Sequence, residues 1–172
     1  MKWVRWIGII IIIISFLYGI QFEMVEVKKN QQNKQIISLY EKHQNQNKSI
    51  IGTIEIVKNK QKVIIRKGNT EEIISKKQVS LLSALETKAL FLAGHSIPEV
   101  FGTLHESKVG DELQLDIRHQ KKSYQIYDIE IIDITDESIF YEKDSFEKLV
   151  LITCMKDENK RLIVKARRLH VN

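Results

Sequence analysis

The single cysteine of this 172-residue chain, Cys154, is the first candidate for chemistry. One cysteine excludes an intramolecular disulfide and a multi-cysteine metal site, so the thiol is either a small buried group or a nucleophile. A free thiol with the ordinary pKa of ~8.5 is only a few per cent thiolate at pH 7, and it needs a nearby base or cation. Composition alone favours the inert alternative.

His95 is the best supplier of a base or a cation for that thiol. Imidazole exists in both protonation states near neutral pH, so it can act as acid and as base. His95 follows Gly94, which permits close backbone approach, at the end of the apolar run KALFLAG. The remaining histidines lie in no comparable motif: His43, His105, His119 and His170.

Arg161 opens the run RLIVKA, and taken by itself it is interpreted as an ordinary exposed strand residue; anion stabilisation is its alternative role. If residues 162, 164 and 166 face the core, alternation sends Arg161 to the opposite face. There its permanent charge could hold a peptide carbonyl or the oxyanion formed when a thiolate attacks it.

Seven apolar runs of strand length must position these three residues. They are IIGTIEIV, KVIIRKG, KALFLAG, ELQLDIR, SYQIYDIEIIDI, KLVLITC and RLIVKA. Their number and spacing predict a mainly β barrel or sandwich. The apolar phase slips within SYQIYDIEIIDI, which indicates a bulge, and Asn69 followed by Glu72 predicts a capped helix reaching towards Leu82.

The N-terminal residues predict a membrane anchor. Residues 6–22 are uncharged, and Lys2 and Arg5 precede them, so the positive-inside rule puts the N-terminus in the cytoplasm and the rest outside the cell membrane. The predicted domains are a cytoplasmic stub and transmembrane signal anchor (1–22), an extracellular stalk (23–50) and a catalytic β-barrel (51–172).

Charge excludes some other functions. The net charge of +5 includes the membrane-flanking Lys2 and Arg5, and no aromatic platform accompanies the basic C-terminal run, so no nucleic-acid partner is expected. We interpret that run (Lys160, Arg161, Lys165, Arg167, Arg168) as mostly a solvated strand face. The carboxylates after the long fifth run (Asp128, Glu130, Asp133, Asp136, Glu137) are interpreted as a solvated edge rather than a metal site.

Three motifs in one order resemble the sortase family: LAGH (92–95), LITC (151–154) and RLIVKA (161–166). The stretches FGTL (101–104) and VGDEL (109–113) and the pair Tyr124 and Tyr127 extend the resemblance over about residues 51–169. It implies a sortase-like closed β-barrel of seven to eight strands with one or two short helices, preceded by an N-terminal transmembrane helix.

The resemblance implies a cysteine transpeptidase of a Gram-positive-type bacterium. Such an enzyme cleaves a C-terminal LPxTG-type sorting motif of exported proteins through a thioacyl intermediate, with Cys154 as nucleophile, His95 as acid and base, and Arg161 supporting the oxyanion. The acceptor would be the amine of a cell-wall precursor or of peptidoglycan. No lid-like segment is recognised before the first strand, so a class A-like or class D-like enzyme is expected rather than a pilin-assembling one.

Two questions stay open from the sequence. A catalytically silent, membrane-tethered β-barrel that binds wall peptides or a protein would share the anchor, the stalk and the strands. No cofactor is expected; calcium activation occurs in some sortases, but no residues here match a calcium site well enough to assign one.

Overall fold

The computed structural model describes residues 49–83, 88–157 and 159–169, together with Gln35 and Ser38. Within these ranges the chain forms eight strands, which close into one barrel in the order β1-β2-β3-β4-β7-β8-β6-β5. The strands are β1 (Ile50–Ile56), β2 (Gln61–Arg66), β3 (Val79–Leu81), β4 (Ala89–Ala93), β5 (Glu112–Ile117), β6 (Gln120–Asp133), β7 (Lys148–Cys154) and β8 (Lys160–Arg168).

The barrel interior is an apolar core built by strand alternation. Every second residue of β7 and β8 points inward, so Leu149 and Leu151 meet Leu162, Val164 and Ala166 there. Residues from the other strands complete the core, including Ile54, Ile65, Leu92, Leu113, Leu115 and Ile126. The result is a filled barrel of the size expected for eight strands.

A second apolar cluster lies on the outer face of β4, β7 and β8. It consists of Phe91, Ile139, Val150, Ile152 and Ile163. The connection between β6 and β7 (residues 134–147) supplies Ile139, and its Phe140 ring lies 5.0 Å from that of Phe91. This connection, which contains a 3-10 turn at Ser138–Phe140, therefore covers part of the outer face.

The structure confirms the closed β-barrel and all seven predicted strands. The predicted bulge is also present, because the register of β6 against β8 shifts between Ile126 and Asp128. The Asn69 side chain caps the first turn of helix α1 (Thr70–Ser75) by accepting a hydrogen bond from the amide of Glu72.

The predicted length of that helix is wrong. It ends at Ser75, and residues 79–81 form the eighth strand, which pairs parallel with β2 and antiparallel with β4. Periodicity could not separate a helix from a strand here, because Ile73, Leu81 and their neighbours form only short apolar groups. Residues 79–81 form a strand because they pair with β2 on one side and with β4 on the other, which closes the barrel.

The predicted transmembrane helix over residues 6–22 lies outside the described residues. Among the residues that are described, no helix has both the length and the apolar character needed to span a bilayer.

Candidate active site

The parallel pairing of β4 and β7 brings His95 and Cys154 to one rim of the barrel. Ala93 is the register partner of Ile152, so the two strands end side by side, with His95 and Cys154 two residues further along each chain. Neighbouring strands lie about 4.8 Å apart. His95 and Cys154, which are 59 residues apart in the sequence, are therefore carried by neighbouring strand ends.

Two hydrogen bonds continue the pairing beyond the end of β4. The amide of Gly94 donates to the carbonyl of Ile152 over 3.1 Å, and the Thr153 hydroxyl donates to the carbonyl of Gly94 over 2.9 Å. Thr153 is buried, so its hydroxyl needs this partner. The peptide immediately before His95 is therefore fastened to the residues immediately before Cys154.

Arg161 reaches the same rim through the hairpin formed by β7 and β8. It is the direct register partner of Cys154 in this antiparallel pair, and the Met155 amide donates to the Lys160 carbonyl to close the turn. Cα atoms of such partners lie about 4.5–5.5 Å apart. Cys154 consequently lies between β4, which leads to His95, and β8, which carries Arg161 at its second position.

All three side chains are available to a ligand on the outside of the barrel. Inward-facing Leu162 and Val164 leave Arg161 on the outer face, as alternation predicts. Cys154 and His95 are exposed and Arg161 is half-buried. Within the described part of the chain, no hydrogen bond or ion pair engages these three side chains.

The outer face of the barrel next to the rim is apolar and already buried. Ile152, two residues before Cys154, and Ile163, two residues after Arg161, are register partners and belong to the outer cluster with Ala93 beside them. Because Ile152 and Ile163 are already buried, the part of the outer face that is open to a ligand is the rim around Cys154.

The residues that follow β4 close the barrel end beneath the rim. We call residues 95–104 the cap segment; its Val100, Phe101 and Leu104 are fully buried in the core. Gly94 is required at its start, because a β-carbon there would lie 2.8 Å from the side chains of Val100 and Phe101. The glycine that precedes His95 thus reflects close packing.

Residues 53–169 match the sequence profile of the family described as "Sortase domain". This match covers more than half of the chain. The chain belongs to the sortase family.

Solved sortase structures share this fold. Sortase C1 of Streptococcus agalactiae in complex with MTSET is 24% identical, with a TM-score of 0.65 over 72% of this chain and 69% of that one. Sortase C of Streptococcus pneumoniae is 23% identical, with a TM-score of 0.66 over 73% and 72%. A lid mutant of sortase A from Corynebacterium diphtheriae is 20% identical, with a TM-score of 0.67 over 78% of both chains. No curated protein matches the chain.

These neighbours correct one expectation from the sequence. A class A-like or class D-like enzyme was expected rather than a pilin-assembling one, but sortases of class C and of class A resemble this barrel about equally. At these identities the likeness establishes the fold, and it does not separate the classes. The preference against pilin assembly is not borne out.

One residue of this sortase site was not predicted from the sequence. Thr153 belongs to the LITC motif, but its link to Gly94 was not anticipated; a threonine at an inward-facing position next to a candidate nucleophile was the available signal. Among the described residues, no group of three or more His, Cys, Asp or Glu side chains is arranged to hold a metal ion. The expectation that no cofactor is needed stays a prediction.

Proposed function

We propose that this sortase-family chain is a cysteine transpeptidase that cleaves an LPxTG-type sorting motif and transfers the acyl part to a primary amine. The observation that supports it best is the order of the strands at the rim, with Cys154 between His95 and Arg161. Acyl transfer needs these three functions within reach of one carbonyl: a nucleophile, a proton carrier and an oxyanion partner.

The first half-reaction forms a thioester. The Cys154 thiolate attacks the threonine carbonyl carbon, a C–S bond forms and the carbonyl electrons move to oxygen, where Arg161 holds the oxyanion. The C–N bond to glycine then breaks as His95 donates a proton to the departing amine. The products of this step are the acyl-enzyme and a free glycine amine.

The second half-reaction reverses these roles. A primary amine enters, His95 accepts one of its protons, and the nitrogen attacks the thioester carbon. The C–S bond breaks, which returns the Cys154 thiolate and leaves a new amide. A cell-wall precursor and a lysine side chain of another protein are both amines of the required chemistry, and water in the same place would give hydrolysis.

We further propose that residues 6–22 anchor the enzyme with its barrel outside the cell membrane. The uncharged run after Lys2 and Arg5 supports this orientation. Membranes from expressing cells test it. The intact chain should stay membrane-bound after a high-salt wash, and quantitative release into the supernatant would refute the anchor.

The nucleophile is tested with the whole chain and a fluorogenic LPxTG peptide. Wild type should give a thioacyl adduct of Cys154 by mass spectrometry, and Cys154→Ala should lower cleavage by at least about 10³-fold. The exposed thiol should also react with a sulfonate reagent in the native state. Undiminished cleavage by Cys154→Ala would refute the assignment; an unreactive native thiol would favour a silent binding barrel.

A further inference from the structure

A glutamine occupies an inward-facing position in β2, where the barrel otherwise places apolar side chains. Gln61, Val63 and Ile65 alternate inward along this strand, and Gln61 is only 2% exposed. Strand β2 runs parallel to β3, which is antiparallel to β4. Strand β2 therefore runs opposite to β4, so its first residue, Gln61, lies on the side of the barrel towards which β4 runs to His95.

Every hydrogen bond that the Gln61 amide makes leads to the cap segment. Its Nε2 donates to the carbonyls of Pro98 and Val100, each over 2.7 Å, and its Oε1 accepts from the Thr103 hydroxyl over 2.6 Å. A buried amide is costly unless it is paired, and here both amide hydrogens and the oxygen are paired. The side chain thus joins three points of one irregular stretch to a rigid strand.

The cap segment carries His95 at its first position and folds back on that residue. The Phe101 amide donates to the carbonyl of His95 over 3.0 Å, and the amides of Val100 and Gly102 donate to the carbonyl of Ile97. Gln61 binds the same segment at Pro98, Val100 and Thr103. A shift of residues 98–103 would therefore move the main chain of His95.

The imidazole itself has no comparable support. His95 is exposed, and its side chain has no hydrogen bond or ion pair within the described ranges, so its place is set by the main chain on which it stands. We infer that Gln61 is a positioning residue that holds the cap segment and thereby sets His95 relative to Cys154. Gln61 is buried and its side chain bonds to the cap segment, so it acts through that segment rather than on the reacting atoms.

This inference rests on the proposed function and predicts a selective defect. If His95 protonates the departing amine, a displaced imidazole slows the loss of a poor leaving group such as an amine. A nitrophenolate leaves without a proton. Acylation of Cys154 by a p-nitrophenyl ester of the same acyl group therefore depends much less on the position of His95, whereas deacylation is common to both substrates.

The experiment compares Gln61→Leu with wild type in the whole chain, using an LPxTG peptide and the p-nitrophenyl ester of its acyl half. Leucine keeps the approximate size of the side chain and removes all three hydrogen bonds. We expect the rate of acylation by the peptide, measured in single turnover, to fall about 10-fold, and the burst of nitrophenolate that reports acylation by the ester to keep its rate within about twofold of wild type.

Two further variants separate positioning from general loss of stability. Val63→Ala truncates an inward-facing residue of the same strand and leaves the cap segment's bonds intact. It should lower Tm without changing the ratio of the peptide to the ester acylation rate. Thr103→Val removes only the hydroxyl donated to Gln61; it tests the inference if Gln61→Leu does not fold, with an expected loss of about threefold on the peptide alone.

The ring resonances of His95, followed by NMR in the same variants, give a readout that does not depend on turnover. They should shift in Gln61→Leu and Thr103→Val and stay in place in Val63→Ala. Equal losses on peptide and ester, a selective loss in Val63→Ala, or unmoved His95 resonances would each overturn the inference. If wild type shows no Cys154-dependent cleavage, the proposed function fails, and the resonances alone decide whether Gln61 positions His95.

Discussion

The outer surface of β7 and β8 differs between its two ends in the exposure and the pairing of its side chains. Cys154 and Lys148 lie on the same face of β7, and Arg161 and Lys165 lie on the same face of β8. At the rim, Cys154 is exposed and Arg161 half-buried, and neither side chain has a partner within the described ranges. Further down the strands, the side chains of Lys148 and Lys165 are only 1% and 6% exposed and each binds carboxylates.

The β6–β7 connection causes this difference. Its Glu142 contacts both lysines, with Oε1 2.6 Å from the ammonium group of Lys165 and Oε2 3.2 Å from that of Lys148. Asp144 pairs with Lys148 at 2.6 Å, and Glu130 of β6 pairs with Lys165 at 2.7 Å. The connection thus covers the lower half of the surface and leaves the rim open.

We call the surface around Lys148 and Lys165 the covered half. The pKa shifts of its charged groups follow from these ion pairs. Burial alone would raise the pKa of Glu142, but hydrogen bonds from Lys165 and Lys148 hold it below its ordinary value. Burial likewise opposes the charge on Lys165, yet Glu130 and Glu142 raise the pKa of this lysine above its ordinary value. Buried charges persist here because each ion has a partner of opposite sign.

The comparison separates two ways of fixing a charged side chain. In the covered half, the side chains fix one another, and they have no capacity left for a ligand. At the rim, main-chain hydrogen bonds fix the positions, as the pairing around Gly94 shows, and the side chains remain available for a substrate. Substitutions at the rim should therefore change activity, and those in the covered half should change stability.

Among the charged residues of this outer surface, the largest effect is expected at Arg161. Arg161→Ala removes the proposed oxyanion partner and should lower kcat/KM for an LPxTG peptide by about 10²–10³-fold. Arg161→Lys keeps the charge without the planar guanidinium group, so its kcat/KM should be about 10-fold higher than that of Arg161→Ala. Because the side chain has no partner in the described chain, Tm should stay nearly constant. A large drop in Tm, or full activity of Arg161→Ala, would place Arg161 with the structural cations instead.

A smaller effect, on stability alone, is expected at Glu142. Glu142→Ala takes one carboxylate from two buried lysines and should cost about 2 kcal/mol in the free energy of unfolding, measured with urea. Glu137→Ala removes an exposed carboxylate of the same connection and should cost less than about 0.5 kcal/mol. Equal values for the two variants would show that the covered half does not depend on its ion pairs.

The smallest effect is expected at Glu147, which precedes β7 at the end of the barrel remote from Cys154. Burial would raise the pKa of Glu147, but hydrogen bonds from Lys122, Tyr124 and Arg168 lower it from 4.5 to about 2. A carboxyl group whose pKa is lower in the folded state stabilises the fold at pH values above its ordinary pKa of 4.5. This stabilisation is lost as the pH falls towards 2.

Glu147→Gln should accordingly cost about 1–2 kcal/mol at pH 7, with the gap to wild type closing between about pH 4.5 and pH 2. Urea unfolding at a series of pH values measures this gap. Glu112→Gln, at an exposed carboxylate, provides the control and should show no such dependence. A gap that stays constant down to pH 2 would contradict the assignment of Glu147.

The basic C-terminal run shows where reasoning from sequence failed. Lys165 was interpreted as part of a solvated face, and Asp128 and Glu130 as a solvated edge, yet Glu130 neutralises a buried Lys165. Alternation correctly puts Lys165 on the outer face, but whether an outer face meets water depends on what covers it. The covering carboxylate, Glu142, comes from an irregular connection that periodicity does not describe.

The sequence by itself determined seven of the eight strands in the described residues, the bulge, the helix cap and the ordered motifs around His95, Cys154 and Arg161, because period-two alternation and capping are local properties of the chain. Tertiary structure alone decided which strand ends meet, which half of the outer face is covered and what the inward-facing Gln61 binds. These depend on pairings between residues tens of positions apart, and the free energy of such contacts is set by closing the whole barrel rather than by any one segment.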